Sequence, residues 1–247
     1  MDKMLYIASS GASQDLLATA IRSNNLANAQ TTGFKAQMEQ ARAMPAYGEG
    51  LPTRVFAMTE SPSNDYEGGA MIQTERDLDI AVQGSGWFAV SDAQGQEAYT
   101  RAGSLHLDQN GLLNDADGNA VLGATGPIQL PIPLSSISIA NDGTVSVRPL
   151  GAPANALEEV GQIKLVKPAN RDLERGLDGL FRRKDGVPED ADISVQVRSG
   201  MVENSNVNPI SEMVGLIELQ RHYEMQVKLM KKAEELDSRG NMLLRIL

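Results

Sequence analysis

The chain has 247 residues, enough for one sizeable domain or two small ones. It contains no cysteine, so the sequence excludes disulfides, thiolate metal sites, cysteine nucleophiles and iron–sulfur clusters. With 32 acidic and 22 basic side chains, the formal net charge of −10 argues against binding nucleic acid or an anionic membrane through the overall field.

The N-terminal region predicts one amphipathic helix between Leu5 and Leu26, because apolar residues recur three or four positions apart without a proline. The apolar face is mainly alanine and leucine, namely Leu5, Ala8, Ala12, Leu16, Leu17, Ala20 and Ile21. Asn24, Asn25 and Asn28 follow, and Gly33 comes soon after; asparagine and glycine favour a helix end. Two interpretations of these asparagines stay open: their amides cap or cross-link the helix end, or they simply stop the helix.

The middle of the chain predicts a connector followed by a β-rich body. Prolines and glycines interrupt residues 37–74, which we interpret as an extended connector. Residues 75–202 show apolar alternation typical of strands at Leu78-Ile80-Val82, Leu105-Leu107, Ile137-Ile139, Val145-Val147, Ile163-Leu165 and Ile193-Val195-Val197. Dipeptides that favour tight hairpin turns lie between them, at Asn110-Gly111, Asp117-Gly118, Asp142-Gly143, Asp178-Gly179 and Asp185-Gly186. This pattern predicts a Gly-rich antiparallel β domain.

The C-terminal region predicts a second, longer helix. Asn208 is a suitable cap, and Pro209 suits the first helical position, where the missing N–H costs nothing. Apolar residues then recur at helical spacing to the end of the chain, at Leu216, Leu219, Tyr223, Val227, Met230, Ala233 and Leu236. A helix of this length cannot bury such a face within itself, so we expect it to pair with the N-terminal helix or with other molecules.

Catalytic, cofactor and metal sites find little support in the sequence. The two histidines, His106 and His222, fall in different predicted elements and lack further ligands at matching spacing. Residues 114–119 gather oxygen-bearing side chains but fail the register of a calcium loop. Asp77 and Asp79 flank one strand residue and would share a face, which more simply indicates an exposed charged surface than a carboxylate pair. We therefore predict no catalytic residues, no cofactor and no metal.

Several sequence strings together resemble bacterial flagellar rod and hook proteins. At the N-terminus these are residues 1–6, Gly11-Ala12 and the continuous run 24–35, NNLANAQTTGFK. In the body they are residues 78–88, LDIAVQGSGWF, then residues 99–103, YTRAG, followed by Leu107-Asp108 and Asn110-Gly111. Towards the C-terminus they are residues 205–208, 212–214, 220–221 and 223–224. The residues at 1–6, 224–235 and 243–245 are most similar to the proximal-rod members of that family, with the distal-rod members as the closest alternative.

The resemblance implies a structural subunit of the flagellar basal body and not an enzyme. Such a subunit would be exported unfolded through the flagellar type III apparatus and would assemble in the periplasm with proximal and distal rod subunits. The sequence is compatible with this route, since it shows no cleavable signal peptide and no apolar stretch of the roughly 18–20 residues that span a bilayer. We expect no nucleic acid partner and no membrane insertion.

The combined expectation is an α+β fold with a coiled-coil core formed by the two terminal helices. Residues 1–36 and 203–247 would form this helical core, 37–74 the connector and 75–202 the β-rich body. Residues 41–200 hold 13 basic and 22 acidic side chains, so most of the negative charge would lie in the body. The predicted assembly residues are Leu5, Ala12, Leu16, Ile21, Asn24, Asn25, Asn28, Leu216, Leu219, Tyr223, Val227 and Met230.

Functions of other classes stay open from the residues alone. A hydrolase of cell-wall glycan would use Asp77 and Asp79, and a free-standing carbohydrate-binding β module would use the body. Neither function needs about forty residues of apolar-faced helix at the C-terminus, whereas structural assembly does.

Overall fold

A computed structural model describes residues 2–45, 55–151, 153 and 156–244, and it shows an α+β protein with a helix at each end. These residues divide into two units. The helical unit contains the described residues of Met1–Ala29, Lys35–Asp65 and Val207–Leu247. The β unit contains those of Gln30–Phe34 and Tyr66–Asn206. None of the helices in the described ranges is both long enough and apolar enough to cross a membrane.

The helical unit consists of two helices and one strand pair. Helix α1 spans Asp2–Ala27, and helix α2 spans Pro209–Leu244. Strands β1 (Gln37–Pro45) and β2 (Val55–Asn64) pair antiparallel within the segment that the sequence suggests is an extended connector. The predicted cap of α2 is confirmed, because Oδ1 of Asn208 accepts hydrogen bonds from the amides of Ile210 at 3.1 Å and Ser211 at 3.3 Å.

The strands of the β unit are short and pair antiparallel. In chain order they are β3 (Met71–Gln73), β4 (Ile80–Gln83), β5 (Trp87–Ser91), β6 (Glu97–Thr100), β7 (His106–Leu107), β8 (Leu113–Asn114), β9 (Ala120–Gly123), β10 (Gly126–Pro127), β11 (Leu134–Ile139), β12 (Thr144–Pro149), β13 (Glu158–Gln162), β14 (Leu165–Val166), β15 (Leu173–Arg175), β16 (Phe181–Arg183), β17 (Gln196–Ser199) and β18 (Met201–Glu203). The largest sheet in the described ranges has the order β15-β16-β6-β5-β9-β8-β7, with β10 beside β9 and β14 beside β5. Strands β11, β12 and β13 form a second sheet, and β17 pairs with β4 and β18 with β3.

Strand β5 lies at the centre of the β unit, because both of its faces are buried. Phe88 and Val90 point into a large aliphatic core, and Trp87 and Ala89 into a smaller aromatic one. The aliphatic core is built from alternating residues of several strands, including Ile80, Val82, Leu113, Val121, Val145, Val147 and Val197. The aromatic core places the Trp87 ring 4.6 Å from the ring of Phe181. A strand buried on both sides needs a continuous apolar run, which residues 87–90 provide.

Short hairpin turns repeat one geometry through the β unit. All five turn glycines predicted from the sequence have positive φ, between 68° and 88°. In the turn that ends at Gly111, the glycine amide donates to the carbonyl of Asp108, and the amide of Asp108 donates to the carbonyl of Leu112. The same pair of bonds closes the turns that begin at Asp92 and Asp115. The local sequence therefore fixes these turns, as predicted.

One predicted strand is placed differently. The alternation Ile193-Val195-Val197 suggests a strand from residue 193, but β17 begins at Gln196 and Ile193 is 99% exposed. The cause is a side-chain turn at Asp192, whose carboxylate accepts a hydrogen bond from the Ser194 amide at 2.8 Å.

The turn aspartates also make the β unit sensitive to acid. Hydrogen bonds from the backbone amides of Leu112 and Thr144 lower the pKa values of Asp108 and Asp142, respectively. Burial alone would raise the pKa of Asp92, but hydrogen bonds from Arg182 and from the amides of Gln96 and Gln94 hold it below its ordinary value. The Asp92–Arg182 ion pair is 2.6 Å long.

We predict that the β unit loses stability as the pH falls below about 4. Because the folded-state pKa values of these aspartates are lowered, the unfolded chain binds protons first, so their contribution is complete above the unfolded pKa and disappears below the folded one. Unfolding by urea at pH 7 to 3, followed by the fluorescence of Trp87, measures this. Asp92→Asn should cost about 1–3 kcal/mol at pH 7 and progressively less in acid.

Glu158→Gln is the control, since it removes one negative charge at an exposed position of β13. A wild-type stability that stays constant from pH 5 to 3 would contradict the prediction.

Candidate assembly interface

Helices α1 and α2 pack against each other in opposite directions. Near the end of α1, the guanidinium of Arg22 lies 3.1 Å from the carboxylate of Glu212 in the first turn of α2. Closer to the start of α1, a methyl group on Gly11 would lie 3.0 Å from Nε2 of Gln226, at the middle of α2. Residue numbers rise along one helix as they fall along the other, so the pair is antiparallel.

Small residues on α1 bring the two helices close together. Ala8, Ala12 and Ala18 are buried on α1, and Ala233 is buried on α2. The space at Gly11 is already taken by the side chain of Gln226, so a larger residue there would displace it. Close approach of this kind makes dispersion contacts along the helix pair without large side chains. The larger apolar side chains of both helices are therefore available for contacts with other surfaces.

Asn25 fastens the end of α1 to the chain that follows it. Its Nδ2 donates to the carbonyl of Gln37 at 2.9 Å, and its Oδ1 accepts from the amide of Gln37 at 2.9 Å. The same Nδ2 lies 3.5 Å from Oε1 of Glu212 on α2. Asn28 acts locally, because its Nδ2 donates to the carbonyl of Asn24 one turn earlier. For these two residues the side-chain bonds favour the first of the two interpretations left open by the sequence: Asn25 links the helix end to Gln37, and Asn28 bonds to the last turn.

The predicted assembly residues occupy three different environments. Ala12, Ile21 and Asn25 are buried within the helical unit. Leu16, Asn24 and Tyr223 are exposed, and a third group is half-buried, namely Leu5, Asn28, Leu216, Leu219, Val227 and Met230. Of these residues, Asn25 lies beside Glu212 of α2. Their part in assembly stays a prediction.

A second apolar face on each helix is exposed, and sequence analysis did not separate it from the first. On α1 it comprises Tyr6, Ile7, Leu16 and Leu17. On α2 it comprises Ile210, Met213, Val214, Ile217, Met225, Leu229 and Leu236, whereas the exposed Tyr223 lies in the row of Leu216 and Leu219. The available signal was the spacing of Ile210, Val214 and Ile217, which places them on one face beside the Leu216 and Leu219 row. We call these two groups the exposed apolar face.

The groups considered for catalysis or metal binding do not form a site. Asp79 is buried and pairs with Arg76 at 3.0 Å, and its Oδ1 accepts from the Ser104 hydroxyl, whereas Asp77 is exposed. The two carboxylates therefore neither act as a pair nor form one exposed charged surface, which corrects both sequence interpretations. Within the ranges that the structure describes, no three His, Cys, Asp or Glu residues are placed to hold a metal ion.

His222 is an exposed residue of α2 whose charge acts on Asp15 of α1. Burial raises the pKa of Asp15 on α1, and the nearby charge of His222 on α2 opposes this rise. His106 lies in β7 of the β unit. The two histidines thus belong to different units.

We predict that Asn25→Asp destabilises the helical unit by about 1–3 kcal/mol, because the carboxylate loses the donor to Gln37 and adds a negative charge beside Glu212. Thermal unfolding followed by circular dichroism at 222 nm measures this change. Asn24→Asp is the matched control: it adds the same charge at the same helix end, but its side chain is exposed. Equal midpoints for the two variants would contradict the proposed role of the Asn25 amide.

Comparison with known proteins places matches along the whole chain. Residues 5–35 match the family described as flagella basal body rod protein, residues 81–147 the D1 domain of flagellar hook protein FlgE/F/G, and residues 198–243 the C-terminal part of the flagellar basal body rod FlgEFG proteins. Flagellar basal-body rod protein FlgF of Escherichia coli (strain K12) is 42% identical over 99% of both chains. FlgF of Salmonella typhimurium is 40% identical over 99% of both chains, and FlgG of Agrobacterium fabrum is 30% identical over 96% of this chain and 97% of its own. Because these matches cover α1, the β unit and α2 alike, the chain belongs to the flagellar basal-body rod protein family.

Proposed function

We propose that the protein is a structural subunit of the flagellar basal-body rod, of the proximal-rod type, and that it assembles through its terminal helices. The single observation that carries the assembly role is the exposed apolar face on α1 and α2. Family membership supplies the setting, since the relatives are rod proteins by name. FlgF of Escherichia coli is 42% identical to this chain and FlgG of Agrobacterium fabrum is 30% identical, which favours the proximal type over a distal-rod or hook-type paralogue.

The exposed apolar face provides the driving force for assembly. Ile210 is 72% exposed and Ile217 53% exposed, although both lie on a long helix that also has a buried side. Removing each such side chain from water contributes on the order of 1 kcal/mol or more. Contiguous apolar faces of this extent mark interaction surfaces in proteins. Covering the face with neighbouring subunits therefore stabilises the assembled state.

The same helices suit an open, helical assembly. An open helical array needs two different complementary surfaces on each subunit. Helix α1 offers aromatic and aliphatic side chains near its start, and α2 offers aliphatic and methionine side chains along most of its length. We propose that these rows interlock between subunits as a coiled coil, with residues 1–36 and 203–247 as the core. Residues 37–74 would bridge neighbouring subunits, and the acidic body of 75–202 would face outward.

The partners in this proposal are other rod subunits and the flagellar export apparatus. The rod would stand in the periplasm, and the chain would reach it by export in an unfolded state without a cleaved signal peptide. The assembled shaft would transmit torque through the packed helices. A cell-wall hydrolase receives no support from this chain, because Asp79 is already paired with Arg76.

The proposal predicts that Ile217→Asp prevents rod incorporation while the isolated protein stays folded. Ile217 is already exposed to water in the single chain, so the substitution costs the monomer little. In an assembled interface the same carboxylate would be buried without a partner, at a cost of several kcal/mol. Complementation of a strain that lacks the gene, scored by motility and by electron microscopy of basal bodies, measures incorporation.

Leu177→Asp is the matched control, since it makes the same kind of change at a fully exposed hairpin position of the β unit. It should restore motility and complete rods. Normal motility with Ile217→Asp, or equal loss with both variants, would contradict assembly through the terminal helices.

A further inference from the structure

Glu203 is a fully buried carboxylate that joins segments far apart in the chain. It ends β18, and its side chain is 0% exposed. Its Oε2 lies 2.7 Å from Nη1 of Arg101, and its Oε1 accepts a hydrogen bond from the Gly69 amide at 2.9 Å. Its backbone carbonyl accepts from the Gly33 amide at 2.7 Å. One residue therefore contacts three segments that precede it by more than one hundred positions.

Arg101 is equally enclosed, with only 4% of its side chain exposed. Its Nη2 donates to the carbonyl of Gly84 at 2.8 Å, and its guanidinium lies 5.4 Å from the centre of the Trp87 ring. Glu203 is the carboxylate that pairs with this cation. Breaking a buried pair by removing one partner leaves an uncompensated charge in a medium of low polarity, which is far more costly than losing an exposed pair.

The backbone around this pair is too crowded for side chains. A Cβ on Gly33 would collide with the backbone of Arg101 and Ala102, and a Cβ on Gly69 would collide with the carbonyl of Asn204. Gly33 also has a φ of 68°, which disfavours other residues. Glycine at both positions thus lets the segments around residues 33, 69, 101 and 203 meet.

The segment that follows α1 is fastened at the same place. Phe34 is buried beneath the guanidinium of Arg175, which lies 4.4 Å from the ring centre. The Phe34 carbonyl accepts from the Asn206 amide at 3.4 Å, and Gly33 donates to Glu203. Two backbone hydrogen bonds of the Gln30–Phe34 segment are therefore made with residues 203–206, although the two segments lie near opposite ends of the sequence.

We propose that Glu203 is a folding latch: the β unit closes, and Gln30–Phe34 takes its place in it, only when residues 201–206 supply the counter-charge for Arg101. Until residues 201–206 are in place, the core strands would have to bury the charge of Arg101 without a counter-ion. For a chain exported from its N-terminus, the latch would keep the β unit open until most of the chain had emerged. This cellular consequence rests on the proposed function, whereas the latch itself does not.

Refolding kinetics of the full-length protein test the latch. Trp87 is the only tryptophan, it is buried in the β unit, and its fluorescence reports closure after dilution from denaturant. If Glu203 acts at closure, Glu203→Gln should slow refolding by about tenfold or more and leave the unfolding rate nearly unchanged. Hydrogen exchange at the Gly33 and Gly69 amides should accelerate together with exchange in β5. Glu174→Gln, at an exposed position of β15, is the control and should behave as the wild type.

The double variant Arg101→Met with Glu203→Gln shows whether Glu203 acts as a counter-charge for Arg101 or only as a packed side chain. It removes the cation that the latch neutralises, so it should refold faster than Glu203→Gln alone. If Glu203→Gln has no folded state, recovery of a cooperative transition in the double variant supports the latch, and failure to recover it overturns the latch. An unchanged refolding rate in Glu203→Gln, with the whole effect on unfolding, would also overturn it. Neither outcome depends on rod assembly, so failure of the proposed function would be seen separately.

Discussion

The antiparallel contact between α1 and α2 determines what the other side chains of both helices can do. The contact is made by small residues, such as Ala8, Ala12 and Gly11, and by a few polar groups at its end. Because the helices approach through small residues, the larger apolar residues project elsewhere. Aromatic residues are only 4% of the chain; Trp87, Tyr99 and Phe181 lie in the core of the β unit, whereas the helix surfaces carry mostly aliphatic side chains beside Tyr6 and Tyr223.

The β unit differs from the helical unit, since it encloses charged groups as well as apolar residues. Its acidic residues are held by backbone amides in the turns and by arginines such as Arg182, so much of its negative charge is fixed in place. Arg101 and Glu203 are a further case, because both are removed from water and each carries the charge that neutralises the other. A small core of short strands gains specificity from such contacts, since only one arrangement of the segments satisfies them all.

Local features were predictable from the sequence, and non-local ones were not. The two helices, the Asn208 cap and the positive-φ glycines depend on neighbouring residues, and all were predicted. The pairing of β1 with β2 was not predicted, because prolines and glycines conceal its periodicity and the partners are separated in sequence. Glu203 was missed for the same reason: one buried glutamate in a strand looks like any surface acid until Arg101 lies beside it. The apolar residues of α2 were recognised, but spacing alone could not divide them between a buried and an exposed face.

The two helices differ in length, and this difference gives the helical unit distinct ends. Helix α1 has 26 residues and α2 has 36, which correspond to about 39 Å and 54 Å. Because Arg22 near the end of α1 meets Glu212 in the first turn of α2, the pair is level at that end and stepped by about 15 Å at the other. At the stepped end, α2 therefore projects past α1 and has no α1 residues beside it. The unequal lengths therefore mean that identical units stacked in one orientation would meet through two different ends.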